Sequence, residues 1–168
     1  MKDYIDNKQI PLSIDISNVD RVSSDVAVLA RFMSEYHNDT ARLLGLYAMA
    51  GCVFLQHVSF KEVVIGYPYC FRNCGLISIC FDKIVELSSD VFAECSDIQA
   101  LIIKTGIVCT IGANTFRDCS PMTNKTLFVY VPDTLVDSYK SNANWSTYAN
   151  QIKPLSELPQ EFKDKYNI

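Results

Sequence analysis

The 168-residue sequence has no run of lysine or arginine, no long apolar stretch and only two histidines. Each shortage removes a class of function. Nucleic-acid binders displace counterions with clustered Lys and Arg, and a chain of net charge −4 and pI near 5.1 carries no such cluster. The longest apolar stretches, such as 98–103, stop far short of the roughly 18–20 residues that cross a bilayer, so membrane insertion is not expected. The opening MKDYIDNKQIPLSID lacks the basic-then-hydrophobic order of a secretory leader, which points to a chain that starts in a cytoplasm. With 49% hydrophobic and 20% charged residues, the composition is that of a folded globular chain rather than a disordered one. The length suits one domain with a continuous core.

What the sequence does have is cysteine, seven in all. The odd count and the chain length argue for free buried thiols rather than a disulfide framework. Their positions carry more information than their number. Phe116-Arg117-Asp118-Cys119 is preceded by Phe92-Ala93-Glu94-Cys95 and by Phe71-Arg72-Asn73-Cys74, with a weaker copy at Met49-Ala50-Gly51-Cys52; the spacings are 24, 21 and 22 residues. Aliphatic residues follow each Cys at similar offsets: Leu55, Val58 and Phe60; Leu76, Ile79 and Phe81; Ile98, Leu101 and Ile103. After Cys119 the copy is stretched by 120–126 before Phe128-Val129-Tyr130-Val131 restores it.

A period of 21–24 residues is that of a leucine-rich-type solenoid, in which one rung is too small to bury its own apolar face. The expected fold is therefore α+β: a short solenoid of about four repeats over 43–132, its short strands paired in parallel. Met49, Cys52, Phe71, Cys74, Phe92, Cys95, Phe116 and Cys119 form the structural ladder, because Cys behaves as a small hydrophobe with a weak S–H donor. The residues between them, Arg72, Asn73, Glu94, Arg117 and Asp118, then point outward as a candidate binding surface. Gly66, Gly106 and Gly112 read as turn residues.

A helical C-terminal cap and tail over 133–168 should close one end of the coil, since exposed sheet edges recruit other chains. Asp133 or Thr134 is expected to cap a helix through Lys140, with a second short helix over Asn144–Ile152. Tyr139, Trp145 and Tyr148 are its apolar anchors. The charges of 157–165 look like a solvated tail. Residues 1–42 form an N-terminal cap or docking segment, with a strand suggested by the alternation of Ile10, Leu12, Ile14 and Ile16 and a helix over Asp25–Tyr36 capped by Ser23 or Ser24.

This series of aromatic-x-x-Cys rungs followed by aliphatic strands resembles the BspA-like leucine-rich repeats of bacterial surface and bacteriophage-encoded proteins. The resemblance covers about 43–158. Its most specific part is the ending, Tyr130-Val131-Pro132-Asp133-Thr134-Leu135-Val136-Asp137-Ser138-Tyr139-Lys140, then Asn144-Trp145-Ser146-Thr147-Tyr148-Ala149, then Gln151-Ile152-Lys153-Pro154-Leu155-Ser156-Glu157-Leu158, which looks like the closing unit of such proteins from phages and prophages of gut bacteria. Met49 departs from the usual Phe. The resemblance implies a non-catalytic recognition or structural module without cofactor.

Sharper chemistry finds little support. Cys70, Cys74 and Cys80 offer one Cys-x₃-Cys spacing, whereas structural zinc wants a second ligand pair nearby. His37 and His57 lie in no signature that would activate a thiol nucleophile, so an enzyme is the poorest class. The three Asn-x-Ser/Thr matches at 38–40, 124–126 and 144–146 are short enough to arise by chance. The leading expectation is a bacteriophage virion component, a fibre or decoration assembled in the host cytoplasm and contacting other virion proteins. The alternative is a bacterial surface module that contacts a host protein or glycan. A homo-oligomer is compatible with either.

Overall fold

The computed structural model describes residues 21–22 and 33–168. Among the described residues eleven short strands coil through two parallel sheets, and the circuits up to residue 111 alternate one long and one short strand. The long strands are β2 (Glu35–Asn38), β4 (His57–Phe60), β6 (Ser78–Phe81), β8 (Ala100–Ile103) and β10 (Phe128–Val131). The short ones are β1 (Arg21–Val22), β3 (Leu43–Leu44), β5 (Ile65–Gly66), β7 (Glu86–Leu87) and β9 (Thr110–Ile111). Neighbours pair in parallel with the register of the sequence repeat, so Val58 faces Ile79 and Ile79 faces Leu101.

Pairing begins upstream of residue 43, where the repeats were expected to start. β1 pairs with β3 and β2 with β4, both at the 22-residue offset of the next rung. The helix expected over Asp25–Tyr36 is corrected at its end: Glu35 and Tyr36 are strand residues, with Tyr36 turned into the core against Phe60. Four residues of alternating exposure satisfy a strand of period two as well as one helical turn, and pairing to β4 decides between them. Met33 and Ser34 are not helical either, while the rest of that helix, 25–32, and the strand of Ile10–Ile16 lie outside the described residues.

Period-two alternation sends Val58, Phe60, Ile79, Phe81, Leu101, Ile103, Val129 and Val131 inward, where all are buried. Between the sheets run the ladder residues. Phe71, Phe92 and Phe116 stack at 5.8 and 5.7 Å with nearly parallel planes, and Met49 continues the column at the other end. Burying each such ring stabilises the fold by about 1.5–3 kcal/mol. A second column, Phe60 on Phe81 at 5.6 Å, rises beside it from the last residues of the long strands.

The turn segments are also tied rung to rung. The N–H groups of Met49, Phe71 and Phe92 donate to the carbonyls of Cys70, Val91 and Thr115 in the next rung. The residue before each ladder Cys, namely Gly51, Asn73, Glu94 and Asp118, has positive φ, and so does a residue two places before each ladder apolar group: Tyr47, Tyr69, Asp90 and Asn114. Two left-handed residues per turn swing the chain around the ladder side chain, a conformation that costs a non-glycine residue about 1–2 kcal/mol. The stacked hydrogen bonds offset it. Of the glycines read as turn residues, Gly106 lies in a bend, whereas Gly66 is corrected to strand β5 and Gly112 follows β9 against the backbone of Ser88 and Ser89.

The C-terminal segment differs from expectation in three ways. Neither Asp133 nor Thr134 caps a helix; Asp133–Leu135 is a 3-10 turn leading into α2 (Val136–Ser141), after the four-residue α1 (Ser120–Thr123) of the stretched repeat. Asp133 Oδ1 instead accepts the N–H of Ser156 at 3.1 Å. The second helix is a 3-10 segment over Ser146–Gln151, and Ile152–Pro154 is a strand, β11, that extends the long-strand sheet beyond β10. The third difference is the tail. Gln160–Tyr166 forms α3, which buries Phe162 and lies across the outer face of the sheet over Cys80, Ala100, Ile102 and Tyr130. Those outward residues are apolar, so β6 and β8 are buried on both faces, as near-continuous apolar strands require.

Candidate binding surface

The turn segments set the geometry of one face. Since each rung repeats the same pair of left-handed residues, side chains at one repeat position line up along the axis at strand spacing of about 4.8 Å. Arg72 reaches the next rung and donates to Glu94 Oε1 from Nη2 at 2.7 Å and from Nε at 3.1 Å. Arg117 reaches back to Asp90 Oδ1 at 2.6 Å. Asp90 is buried, while the guanidinium of Arg117 stays half in water.

Arg72, Asn73, Glu94, Arg117 and Asp118 therefore lie at the outer turns, and Asn73, Arg117 and Asp118 are exposed. Their roles divide. Asn73, Glu94 and Asp118 hold the left-handed backbone, and the two arginines tie rungs together, so the expected row is partly scaffold. Arg72, Asn73 and Glu94 line a shallow groove of about 260 Å³ with Tyr47, Ala50 and Gly51. Tyr47 and Tyr69 stack at 4.8 Å, 7° from parallel, beside it.

These tyrosines escaped the reading of the sequence, although both stand two residues before a ladder residue and so share one repeat position. Leu46, Tyr47, Val53, Phe54 and Tyr67 belong to adjacent turns and are exposed, Phe54 by 67%. Among the described residues this stretch holds most of the exposed large apolar side chains, and Met33, Val85, Ile107 and Ile168 are scattered elsewhere. Single exposed apolar residues need no explanation, but a concentration of them does.

The ladder thiols sit in a different environment. All seven Cys are free and buried. Cys74 Sγ donates to the carbonyl of Met49 at 2.9 Å and Cys95 Sγ to that of Phe71 at 3.1 Å, the ladder residue of the preceding rung in each case. Burial pushes the Cys95, Cys80 and Cys109 thiols up to about 12 and raises Cys70 and Cys74 as well. A reactive thiolate needs the opposite shift. Cys70 and Cys74 face the main core, whereas Cys80 lies on the outer face of the sheet beneath α3. Sequence proximity therefore places the three thiols on opposite sides of a sheet.

Two rows of ion pairs and polar contacts complete the exterior. Lys61–Asp39, Lys83–Glu62 and Lys104–Asp82 join successive rungs at 2.5, 2.7 and 3.0 Å just beyond the long strands. Such exposed pairs contribute about 0–1 kcal/mol each and mainly fix side-chain positions. On the outer sheet face beside the end of α3, His37 and His57 contact Ser59 and Ser78 at 2.6 and 2.8 Å. Ser78 also bonds Tyr166, and Lys165 bonds Glu35, fastening the end of α3 to the rungs.

Two parallel sheets, columns of stacked side chains and a surface set by one residue per rung define a solenoid repeat protein. The chain belongs to the BspA type leucine-rich repeat family, whose model matches six copies across residues 35–140. No curated protein matches the sequence significantly.

Proposed function

We propose that this protein is a non-enzymatic binding module whose turn face contacts another macromolecule, and that it serves as a component of a bacteriophage particle. The observation that carries the binding role is the exposed set Leu46, Tyr47, Val53, Phe54 and Tyr67 on adjacent turns, of which Tyr47 lines the groove with Arg72, Asn73 and Glu94. Aromatic and aliphatic side chains there supply buried area on contact, and the Arg72–Glu94 pair supplies orientation. A rigid solenoid needs little reordering to bind, which keeps the entropic cost low.

The particle assignment rests on the resemblance of residues 130–158 to closing units encoded by phages. Gradient-purified particles from a producing culture provide the test: recovery of this chain at a fixed ratio to the main capsid protein supports it. Recovery from the cell surface with none in particles replaces it by the second reading, a bacterial surface module, which the family's known occurrence in surface proteins favours.

A further inference from the structure

We propose that the cleft beside the start of α3 is a second binding site, one that accepts a lysine or arginine side chain of a partner polypeptide. The cleft encloses about 520 Å³ between α3, β10 and the segment leading into β8. It lies on the sheet side of the solenoid and shares no residue with the turn-face groove.

Its floor is aromatic, made by Phe128, Tyr130 and Phe162, and its rim carries Asp97, Gln99 and Glu161. Among the described residues no lysine or arginine lines it. Along the rungs many carboxylates are matched, since Asp39, Glu62, Asp82, Asp90 and Glu94 each hold a Lys or Arg of a neighbouring rung within 3.0 Å. Glu86, Asp133 and Asp164 have only neutral partners among the described residues and lie outside this cleft. Among the described residues Asp97 accepts the hydroxyl of Ser96 at 2.8 Å and forms no ion pair, and Glu161 forms none either.

Two carboxylates left without cations at the mouth of an aromatic-floored cleft are complementary to one cationic head on an apolar stem. An ammonium or guanidinium over a ring face is attracted by the ring quadrupole, the carboxylates accept its N–H groups, and its methylenes lie along the rings. An anionic ligand is repelled by the rim, and a neutral sugar leaves both charges unused. The cleft exists because α3 folds back over the sheet, since Glu161 and Phe162 come from that helix.

The test is an NMR titration of the full chain with the blocked peptide Gly-Gly-Arg-Gly-Gly, its lysine counterpart, and a control bearing citrulline, which keeps the shape of arginine without its charge. The basic peptides should shift the Phe128, Tyr130 and Phe162 resonances at up to about 10 mM, as a single side-chain site requires. The paired substitution Asp97→Asn and Glu161→Gln should weaken the response by about tenfold or more, and Lys140→Ala, at an exposed position that lines neither the cleft nor the turn-face groove, should leave it unchanged. Equal binding of the citrulline peptide, no shift with either basic peptide, or a response to maltose alone would overturn the proposal. The wild-type comparison of arginine with citrulline decides the matter even if the paired variant is unstable.

Discussion

Trp145 donates its indole N–H to the carbonyl oxygen of Cys109 at 2.6 Å, across 36 residues of sequence. The N–H of the same Cys109 donates to the hydroxyl oxygen of Tyr139 at 2.9 Å. Trp145 and Tyr139 meet edge to face at 5.4 Å, and Phe116, the last ring of the ladder, abuts both Trp145 and Tyr148. The cap therefore does two jobs at the end of the coil: it covers the aromatic column and satisfies both backbone groups of Cys109, the residue that leads into the last short strand.

Trp145→Phe keeps most of the covering area and removes the donor. Leaving the buried Cys109 carbonyl unpaired should lower stability by about 1–3 kcal/mol, read as a lower urea midpoint at unchanged slope. A change within about 0.5 kcal/mol would mean that covering the column is all the cap does.

Phe92 is packed between Phe71 and Phe116 and fully buried. Phe92→Ala should cost about 3–5 kcal/mol in equilibrium unfolding, because both neighbours lose their partner and the rung cannot collapse without breaking register. A loss below about 1 kcal/mol would show that the column carries little of the stability.

The thiols should be slow reagents. At pH 8 a thiol held near 12 is about one ten-thousandth thiolate, and Cys80, Cys95 and Cys109 are so held by burial. Native protein treated with a maleimide should label at these positions only after denaturant is added. Rapid native labelling of Cys95 would contradict its place in the ladder.

Three glycines separate backbone strain from crowding. Gly51 has φ +74° and open space around it, so Gly51→Ala should cost about 1–2 kcal/mol through the left-handed backbone alone. At Gly75 an added Cβ would lie on the carbonyl oxygen of Val53, and the forced shift between rungs should cost about 1–3 kcal/mol. Gly106, open and without positive φ, should tolerate Ala within about 0.5 kcal/mol. Urea midpoints of the three variants give the order directly.

Burial, and then the charge of Lys165, holds His57 below its ordinary value; His37 acts in the same direction, and Glu35 and Glu161 oppose them. The folded protein thus favours the neutral ring. Its contribution is complete above the unfolded value of about 6.5 and is lost as pH falls from there through the folded value. Glu35, lowered by its hydrogen bond from Lys165, loses its contribution only in the carboxylate range. Protection factors for amide exchange in α3, that is, rates corrected for the intrinsic fall of exchange with pH, should therefore drop between about pH 7 and 5, and His57→Gln should flatten that dependence. An unaltered profile in the variant would remove His57 from the fastening of α3.

The sequence alone determined the coil. Recurrence of Phe-x-x-Cys with aliphatic residues at constant offsets specifies rung length, inward positions and parallel pairing, because each residue contacts its own counterpart one period away. Tyr139, Trp145 and Tyr148 were legible as the plug for the same reason: a column of rings needs an apolar end. Contacts without a periodic counterpart were decided only by the tertiary structure. Nothing local distinguishes 157–165 from a solvated tail, since Phe162 and Tyr166 find their burial against Cys80, Ala100 and Ile102, some 60 to 85 residues away. Nor does Ile152-Lys153-Pro154 announce a strand until β10 offers its edge. The candidate surface divides along the same line. The outward direction of Arg72 and Glu94 follows from the repeat, whereas the cleft of Asp97, Tyr130 and Glu161 exists only because the last helix folds back across the sheet, and long-range packing of that kind leaves no period to read.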